Sequence, residues 1–138
     1  MERDLMDGRT HLVAGVLAGV GLVYLENKIG IDINGLDNAL FVLGCGVGSL
    51  LPDIDIDTSL LGRFIPAWLL YEHRTVTHSL LFMLVVGILS FVLHASLALI
   101  IGLELGIGTH LILDAITPMG LPYLLYPFAT RKTDRKRP

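Results

Sequence analysis

A nearly unbroken apolar run over residues 80–103 constrains the fold of this chain more than any other feature. The sequence stays largely apolar to residue 114, and one helix over this whole stretch would be about 50 Å long. The hydrocarbon core of a bilayer is only about 30 Å thick, so the run must fold back on itself. Its most polar break is His94-Ala95-Ser96. We therefore predict a tight turn there, between a helix that begins near Thr77 and a helix that ends near Thr117.

Two further apolar runs, over residues 11–25 and 39–51, come earlier in the chain. The second contains three glycines, which allow helices to approach closely, and it ends at Pro52. Hydrophobic residues make up 53% of the 138 residues, which is too apolar for an ordinary soluble domain. The sequence therefore predicts an all-α fold, an integral membrane bundle of four transmembrane helices, with residues 1–138 forming a single membrane-embedded domain.

Two segments are predicted to lie along the membrane interface rather than to cross it. Residues 52–74 contain a short amphipathic piece, in which Trp68 and Tyr71 suit the depth of the lipid headgroups. Residues 121–128 include Pro122 and Pro127 and are too short and broken to span.

Charge predicts the orientation in the membrane. The tail over residues 131–138 is strongly basic, and Arg63 and Arg74 lie in the central segment. The positive-inside rule places both regions in the cytoplasm, and four spans then return both termini to that side of the cytoplasmic (inner) membrane. The tail is explained by topology and by attraction to anionic membrane lipid, so no specific nucleic-acid partner is predicted. The oligomeric state stays open.

His110 and Asp114 are the most informative polar pair, because they lie four residues apart in apolar sequence. Four residues are about one helical turn, so both side chains project from one face and could bind one cation. The alternative is a hydrogen bond that satisfies two polar groups inside a helix interface. The distribution of the other polar residues favours the cation site.

Seven residues are candidate metal ligands, and they are His11, Asp53, Asp55, His73, His78, His110 and Asp114. The predicted topology places all of them at the cytoplasmic ends of the helices. Asp53 and Asp55 would share one side if their segment were extended, whereas Asp57 is expected to cap a helix. Only His94, among the five histidines, falls at the opposite end. This one-sidedness indicates a common site.

The predicted ligands are imidazoles and carboxylates, and the single cysteine, Cys45, excludes a zinc motif built on a cysteine pair. Such a nitrogen and oxygen site suits zinc, most simply as two or more ions bridged by aspartate, with manganese or iron as alternatives. Arg74 could hold a phosphate oxygen, or it could be a positive anchor at a helix start. Thr77 or Ser79 could cap the third helix.

Four polar segments follow one another along the chain, and they are Arg9-Thr10-His11-Leu12, Leu51-Pro52-Asp53-Ile54-Asp55, His73-Arg74-Thr75-Val76-Thr77-His78-Ser79 and the segment from His110 to Gly120. Together they resemble the family of predicted membrane-bound metal-dependent hydrolases that includes the inner-membrane protein YdjM. The resemblance covers nearly the whole chain and implies that all seven candidate ligands bind metal.

A more distant likeness, carried by His110, Asp114, Thr117 and Pro118-Met119, is to zinc-dependent phospholipases C and single-strand nucleases. It implies phosphoester hydrolysis. One departure is that His11 is internal, whereas the phospholipases bind zinc through their N-terminal residue.

We therefore expect a metal-dependent hydrolase, a phospholipase-like phosphoesterase that cleaves a lipid or lipid-linked phosphoester with a metal-activated water. Asp55 and Arg74 are its predicted catalytic residues. The alternative is a non-catalytic metal-binding membrane protein, either a sensor or a transporter component. A transporter should place polar groups along a path across the bilayer, and only Glu104 and His94 lie beyond the one-sided cluster.

Overall fold

The computed structural model describes residues 8–30, 34–56, 59, 61, 63, 76–118 and 120–128. They form four α-helices, α1 (Gly8–Lys28), α2 (Gly35–Gly48), α3 (Leu80–Val92) and α4 (Leu97–Ala115). Two short 3-10 turns, Pro52–Asp55 and Val76–His78, follow α2 and precede α3. The described ranges contain no strand, which confirms the predicted all-α fold.

Three helical segments are long and apolar enough to cross a membrane, namely Gly8–Lys28, Gly35–Asp55 and Leu97–Ala115. The second consists of α2 together with the 3-10 turn that follows it. Helix α3 is equally apolar but has only 13 residues, or about 20 Å of length. The four predicted helices are therefore present, with three of membrane-spanning length and one shorter.

The predicted reversal at residues 94–96 is confirmed, since α3 ends at Val92 and α4 begins at Leu97. His94 adopts the left-handed backbone region with φ of 57°, which turns the chain back. The hydroxyl of Ser96 accepts from the backbone N–H of Leu99 and so caps α4. At the other end of α3, Ser79 caps the helix by accepting from Phe82 N–H, which leaves Thr77 available for another role.

The segment after α4 forms successive turns over residues 122–128 rather than a further helix. The backbone N–H of Leu80 donates to the carbonyl of Leu124 at 3.0 Å, which ties this segment to the start of α3. The predicted amphipathic piece and the basic tail lie largely or wholly outside the described residues.

Glycines allow α2 and α4 to pack backbone against backbone. A Cβ at Gly102 would lie 2.3 Å from the carbonyl oxygen of Phe41, and one at Gly106 would lie 2.3 Å from that of Cys45. A Cβ at Gly44 would in turn lie 2.7 Å from the Leu99 oxygen. Membrane helices that associate through such small residues pack by van der Waals contact. This contact sets the spacing of α2 and α4. The candidate ligands His110 and Asp114 lie on α4, and Asp53 lies in the 3-10 turn after α2.

Replacing Gly106 with alanine should therefore destabilise the bundle by about 1–3 kcal/mol, because the added methyl overlaps the backbone of α2. The matched control is Gly108→Ala on the same helix, where the nearest atom to the new methyl is Met83 Cε at 4.0 Å. Thermal unfolding in detergent micelles checks the pair. An equal midpoint for the two variants would contradict the glycine-mediated contact.

Candidate metal centre

A cluster of buried polar side chains lies at one end of the helical bundle. His11 is in the first turn of α1, and Asp53 is in the 3-10 turn after α2. His78 directly precedes the cap of α3, while His110 and Asp114 lie in the last two turns of α4. Each is at most 6% exposed. The structure thus brings together five of the seven predicted ligands from four separate segments.

Four ligand atoms face one another in the middle of this cluster. His78 Nε2 lies 3.2 Å from both His110 Nε2 and Asp114 Oδ2. The distance from His110 Nε2 to Asp114 Oδ2 is 3.6 Å. Asp53 Oδ1 lies 3.7 Å from His78 Nε2 and 3.6 Å from His110 Nε2. These five separations all fall between 3.2 and 3.7 Å.

The separations among His78, His110 and Asp114 match those that a bound cation requires. Nitrogen and oxygen ligands about 2.0–2.2 Å from Zn²⁺ lie about 3.3–3.6 Å from one another in tetrahedral geometry. Asp53 Oδ1 lies at similar distances from the two ring nitrogens. The three side chains of His78, His110 and Asp114 therefore fit a divalent cation without a large rearrangement.

His11 occupies the opposite side of Asp114. Its Nε2 lies 3.5 Å from Asp114 Oδ1, whereas Oδ2 of the same carboxylate faces His78 and His110. The ring of His11 stacks on that of His110 with centroids 3.7 Å apart. His11 Nδ1 is buried and has no hydrogen-bond partner among the described residues. His11, Asp53 and His110 form a second group that could hold a cation, and this group shares His110 with the group of His78, His110 and Asp114.

A backbone carbonyl fixes the orientation of His110. Helix α2 ends at Gly48, so the carbonyl groups near its C-terminus lack partners within the helix. The carbonyl of the next residue, Ser49, accepts from His110 Nδ1 at 2.7 Å, across 61 residues of sequence. Because Nδ1 donates, Nε2 of the neutral ring carries the lone pair that points into the cluster. This is the usual arrangement of a metal-binding histidine.

The condition under which the carboxylates of Asp53 and Asp55 would share one side, an extended segment, is not met, because the backbone there forms a 3-10 turn. Pro52 favours this conformation at its first position. The two carboxylates consequently reach opposite sides of His78, with Asp53 near Nε2 and Asp55 Oδ2 3.7 Å from Nδ1. Asp55 also accepts from the Thr77 hydroxyl at 2.6 Å. Its role as a direct ligand stays a prediction, while its observed contacts lie behind His78.

The electrostatics of the cluster favour a cation. Three carboxylates and three imidazoles are buried together, and buried negative charge is stable only beside compensating positive charge. Burial lowers the pKa of His78, but the nearby carboxylates of Asp114 and Asp53 outweigh that effect and leave the pKa raised. The environment of His78 Nε2 is thus one that attracts a proton or a metal ion.

The remaining predicted residues fall elsewhere. His73, Arg74 and Asp57 lie outside the part of the chain that the structure describes. His94 sits in the turn at the far end of α3 and α4. Glu104 lies on the face of α4 that meets α3, close to Gly87, and its Oε1 is buried without a partner among the described residues.

Two residues that contact the predicted ligands were missed by sequence reasoning. Ser49 acts through its backbone carbonyl, which no side-chain motif reveals. Thr77 was considered only as a helix cap, although its position next to His78 was a usable signal. Both make the ring contacts that orient a histidine, and both are buried.

The fold and the cluster define an integral membrane protein whose bundled helices bury a candidate metal centre at one end. The family model described as YdjM inner membrane protein matches residues 6–137, and the chain belongs to this family. The uncharacterized protein YvsG of Bacillus subtilis (strain 168) is 34% identical over 131 residues, which cover 91% of this chain and 76% of that protein. No solved structure matches the chain. The family predicted from the four motifs is confirmed, while the likeness to phospholipases C and nucleases stays a prediction.

Proposed function

We propose that this chain is a membrane-bound metal-dependent hydrolase that cleaves a phosphoester of a lipid or lipid-linked substrate. The observation that supports it most is the buried group of His78, His110 and Asp114, whose ligand atoms lie 3.2–3.6 Å from one another. Zn²⁺ is the cation that this nitrogen and oxygen set suits best. A second ion would be held by His11, Asp53 and His110.

A divalent cation in such a site lowers the pKa of a bound water towards 7 and polarises a phosphoryl oxygen. The residues of the chain would prepare the site for that chemistry. Ser49 and Thr77 orient the two central imidazoles, and the packing of α2 against α4 excludes bulk water from the cluster. His11 Nδ1, buried without a described partner, offers a further polar atom to water or substrate.

The depth of the cluster supports a lipid substrate. Its residues lie at the ends of α1 and α4, which are long enough to cross a membrane, so the site would be near the headgroups. A phosphoester there could keep its hydrocarbon portion in the bilayer. Arg74 is proposed to hold the phosphate, since a guanidinium binds phosphate oxygens in a bidentate manner.

We further propose that the site and both termini face the cytoplasm. The N-terminus of α1, the C-terminus of α4 and the start of α3 lie at the same end of the bundle, because their residues meet in the cluster. Arg63 follows the 3-10 turn that carries Asp53, and the sequence after α4 ends in the basic residues 131–138. Reporter fusions to the C-terminus test this orientation, and a reporter active only in the periplasm would contradict it.

A non-catalytic metal sensor or transporter would use the same cluster. Transport would require polar groups that continue towards the other face of the membrane. Among the described residues Glu104 lies in that direction, yet it packs over Gly87 on α3, away from the His78 and His110 contact. The position of the site at one end of the bundle therefore favours catalysis over transport across the membrane.

The decisive experiment combines metal analysis with hydrolysis. Detergent-purified protein is loaded with Zn²⁺ or Mn²⁺, its metal content is measured by elemental mass spectrometry, and it is given phosphatidylglycerol or a polyprenyl diphosphate in mixed micelles. We expect bound metal and metal-dependent release of product, both lost in the His110→Ala, Asp114→Ala double variant. His94→Asn is the matched histidine control at the far end of the bundle and should keep both.

Each outcome separates the two functions. Metal bound stoichiometrically with no hydrolysis of any phosphoester would overturn the hydrolase and leave the sensor or transporter. Failure of the native protein to retain either metal would overturn both and return the cluster to a hydrogen-bonded network.

A further inference from the structure

Thr77 lies between the carboxylate of Asp55 and the ring of His78. Its hydroxyl donates to Asp55 Oδ2 at 2.6 Å, and the same oxygen is 3.1 Å from His78 Nδ1. Thr77 is 4% exposed, and Asp55 and His78 are buried with it. The hydrogen bond to Asp55 joins residues 22 positions apart in sequence, so it is built by the fold, whereas the contact with His78 joins adjacent residues.

The direction of each hydrogen bond follows from the chemistry of the hydroxyl. A threonine has one O–H proton, and an ionised carboxylate can only accept, so that proton goes to Asp55. The Thr77 oxygen can then only accept from His78, and Nδ1 of the ring must carry the hydrogen. In the neutral ring this leaves the lone pair on Nε2, the atom that faces Asp114, Asp53 and His110.

We propose that Thr77 is a positioning residue of the metal centre, which with Asp55 holds His78 in the Nδ1–H tautomer so that Nε2 is free to bind a cation. The inference rests on the metal site of the proposed function. It gives Asp55 a place in the outer shell of the site, and it assigns Thr77 a role distinct from the helix cap that Ser79 already provides. Histidine ligands are commonly oriented by such outer-shell partners.

His110, on the other side of the cluster, is oriented in the same way by a different group. The Ser49 carbonyl accepts from His110 Nδ1, which also directs Nε2 inward. Two Nε2 lone pairs then face each other at 3.2 Å, a repulsive contact unless a cation or a proton lies between them. Two unrelated groups, a hydroxyl and a backbone carbonyl, therefore prepare the two rings in the same way.

Three variants test the inference. Thr77→Val removes the hydroxyl but keeps the branched shape, while Thr77→Ser keeps the hydroxyl. Thr109→Val is the matched control, because Thr109 also precedes a candidate histidine ligand but donates only to the carbonyl of Leu105 in its own helix, at 2.8 Å. Affinity for Zn²⁺ is measured by competition with a chelator, and the tautomer of His78 by ¹⁵N NMR of the labelled imidazole rings.

We expect Thr77→Val to weaken Zn²⁺ binding about 10–100-fold, the usual cost of losing an outer-shell partner, while Thr77→Ser and Thr109→Val stay near the native affinity. The ¹⁵N spectra of the native protein should show His78 protonated at Nδ1. Native affinity in a folded Thr77→Val variant would overturn the proposal.

The spectrum of the native protein tests the inference even if the valine variant does not fold. A hydrogen on Nε2 instead of Nδ1, in the zinc-loaded protein or in metal-free protein under conditions where the ring is neutral, would overturn it. If the native protein binds no Zn²⁺, the proposed function fails, but the tautomer is still measured in the metal-free protein, so the two failures are distinguishable.

Discussion

Asp114→Asn should release bound Zn²⁺ from the purified protein and lower its affinity for Zn²⁺ by more than about 100-fold. Loss of an outer-shell partner lowers metal affinity by only about 10–100-fold. Asp114 turns Oδ2 towards His78 and His110, with which it forms one candidate group, and Oδ1 towards His11 of the other group. Asparagine has nearly the same volume, which preserves the packing of α4, but it lacks the negative charge that a metal ligand supplies.

His11→Gln provides the comparison that separates the two positions. His11 belongs to the group with Asp53 and His110 but not to the group of His78, His110 and Asp114, so we expect one ion to remain where the native protein holds two. Equilibrium dialysis followed by elemental analysis gives both stoichiometries. The control is Asp37→Asn in the first turn of α2, an isosteric change far from the cluster in the chain. Native metal content in the Asp114 variant would refute Asp114 as a metal ligand.

The helical architecture could be predicted because the bilayer limits the length of an apolar segment. The run over residues 80–114 had to reverse, and the polar break at His94 marked the place. The helix bounds were less predictable. Helix α2 begins at Gly35, four residues before the apolar run, because Asn34 caps it by accepting from the N–H of Leu36. Helix α3 begins after Ser79 rather than near Thr77, because the cap and a preceding 3-10 turn compete with helix there.

The site was predictable where a ligand pair lies on one helix, as His110 and Asp114 do. Residues from different segments required an argument from topology, and the one-sided distribution of His11, Asp53 and His78 supplied it. Whether Asp53 and Asp55 share one side could not be predicted, because alternation in sequence does not distinguish an extended segment from a 3-10 turn. The carbonyl of Ser49 was unpredictable, since every residue carries such a group and only the end of α2 gives this one a partner.

The second large effect concerns stability, and its dependence on Zn²⁺ distinguishes a metal site from a hydrogen-bonded network. In metal-free protein Asp114 lies between His78 and His11, so Asp114→Asn removes a buried partner of these rings. We therefore expect Asp114→Asn to be less stable than the native protein when a chelator is present, by about 1–3 kcal/mol. With Zn²⁺ at about a thousand times its Kd, the native protein gains about 4 kcal/mol that the variant does not gain, so the difference between them widens.

A network without metal predicts a similar cost in the chelator but no dependence on Zn²⁺. There Asp114 would be an acceptor for His78 and His11, and its replacement would cost about 1–3 kcal/mol whether or not Zn²⁺ was added. Unfolding midpoints of the native protein and Asp114→Asn, each with chelator and with Zn²⁺, give the four values needed. A stability difference that grows on adding Zn²⁺ supports the metal centre. A variant that is less stable by the same amount in both conditions would instead make the cluster a structural element of the bundle, because a bound cation is what would make the cost of losing this carboxylate depend on Zn²⁺.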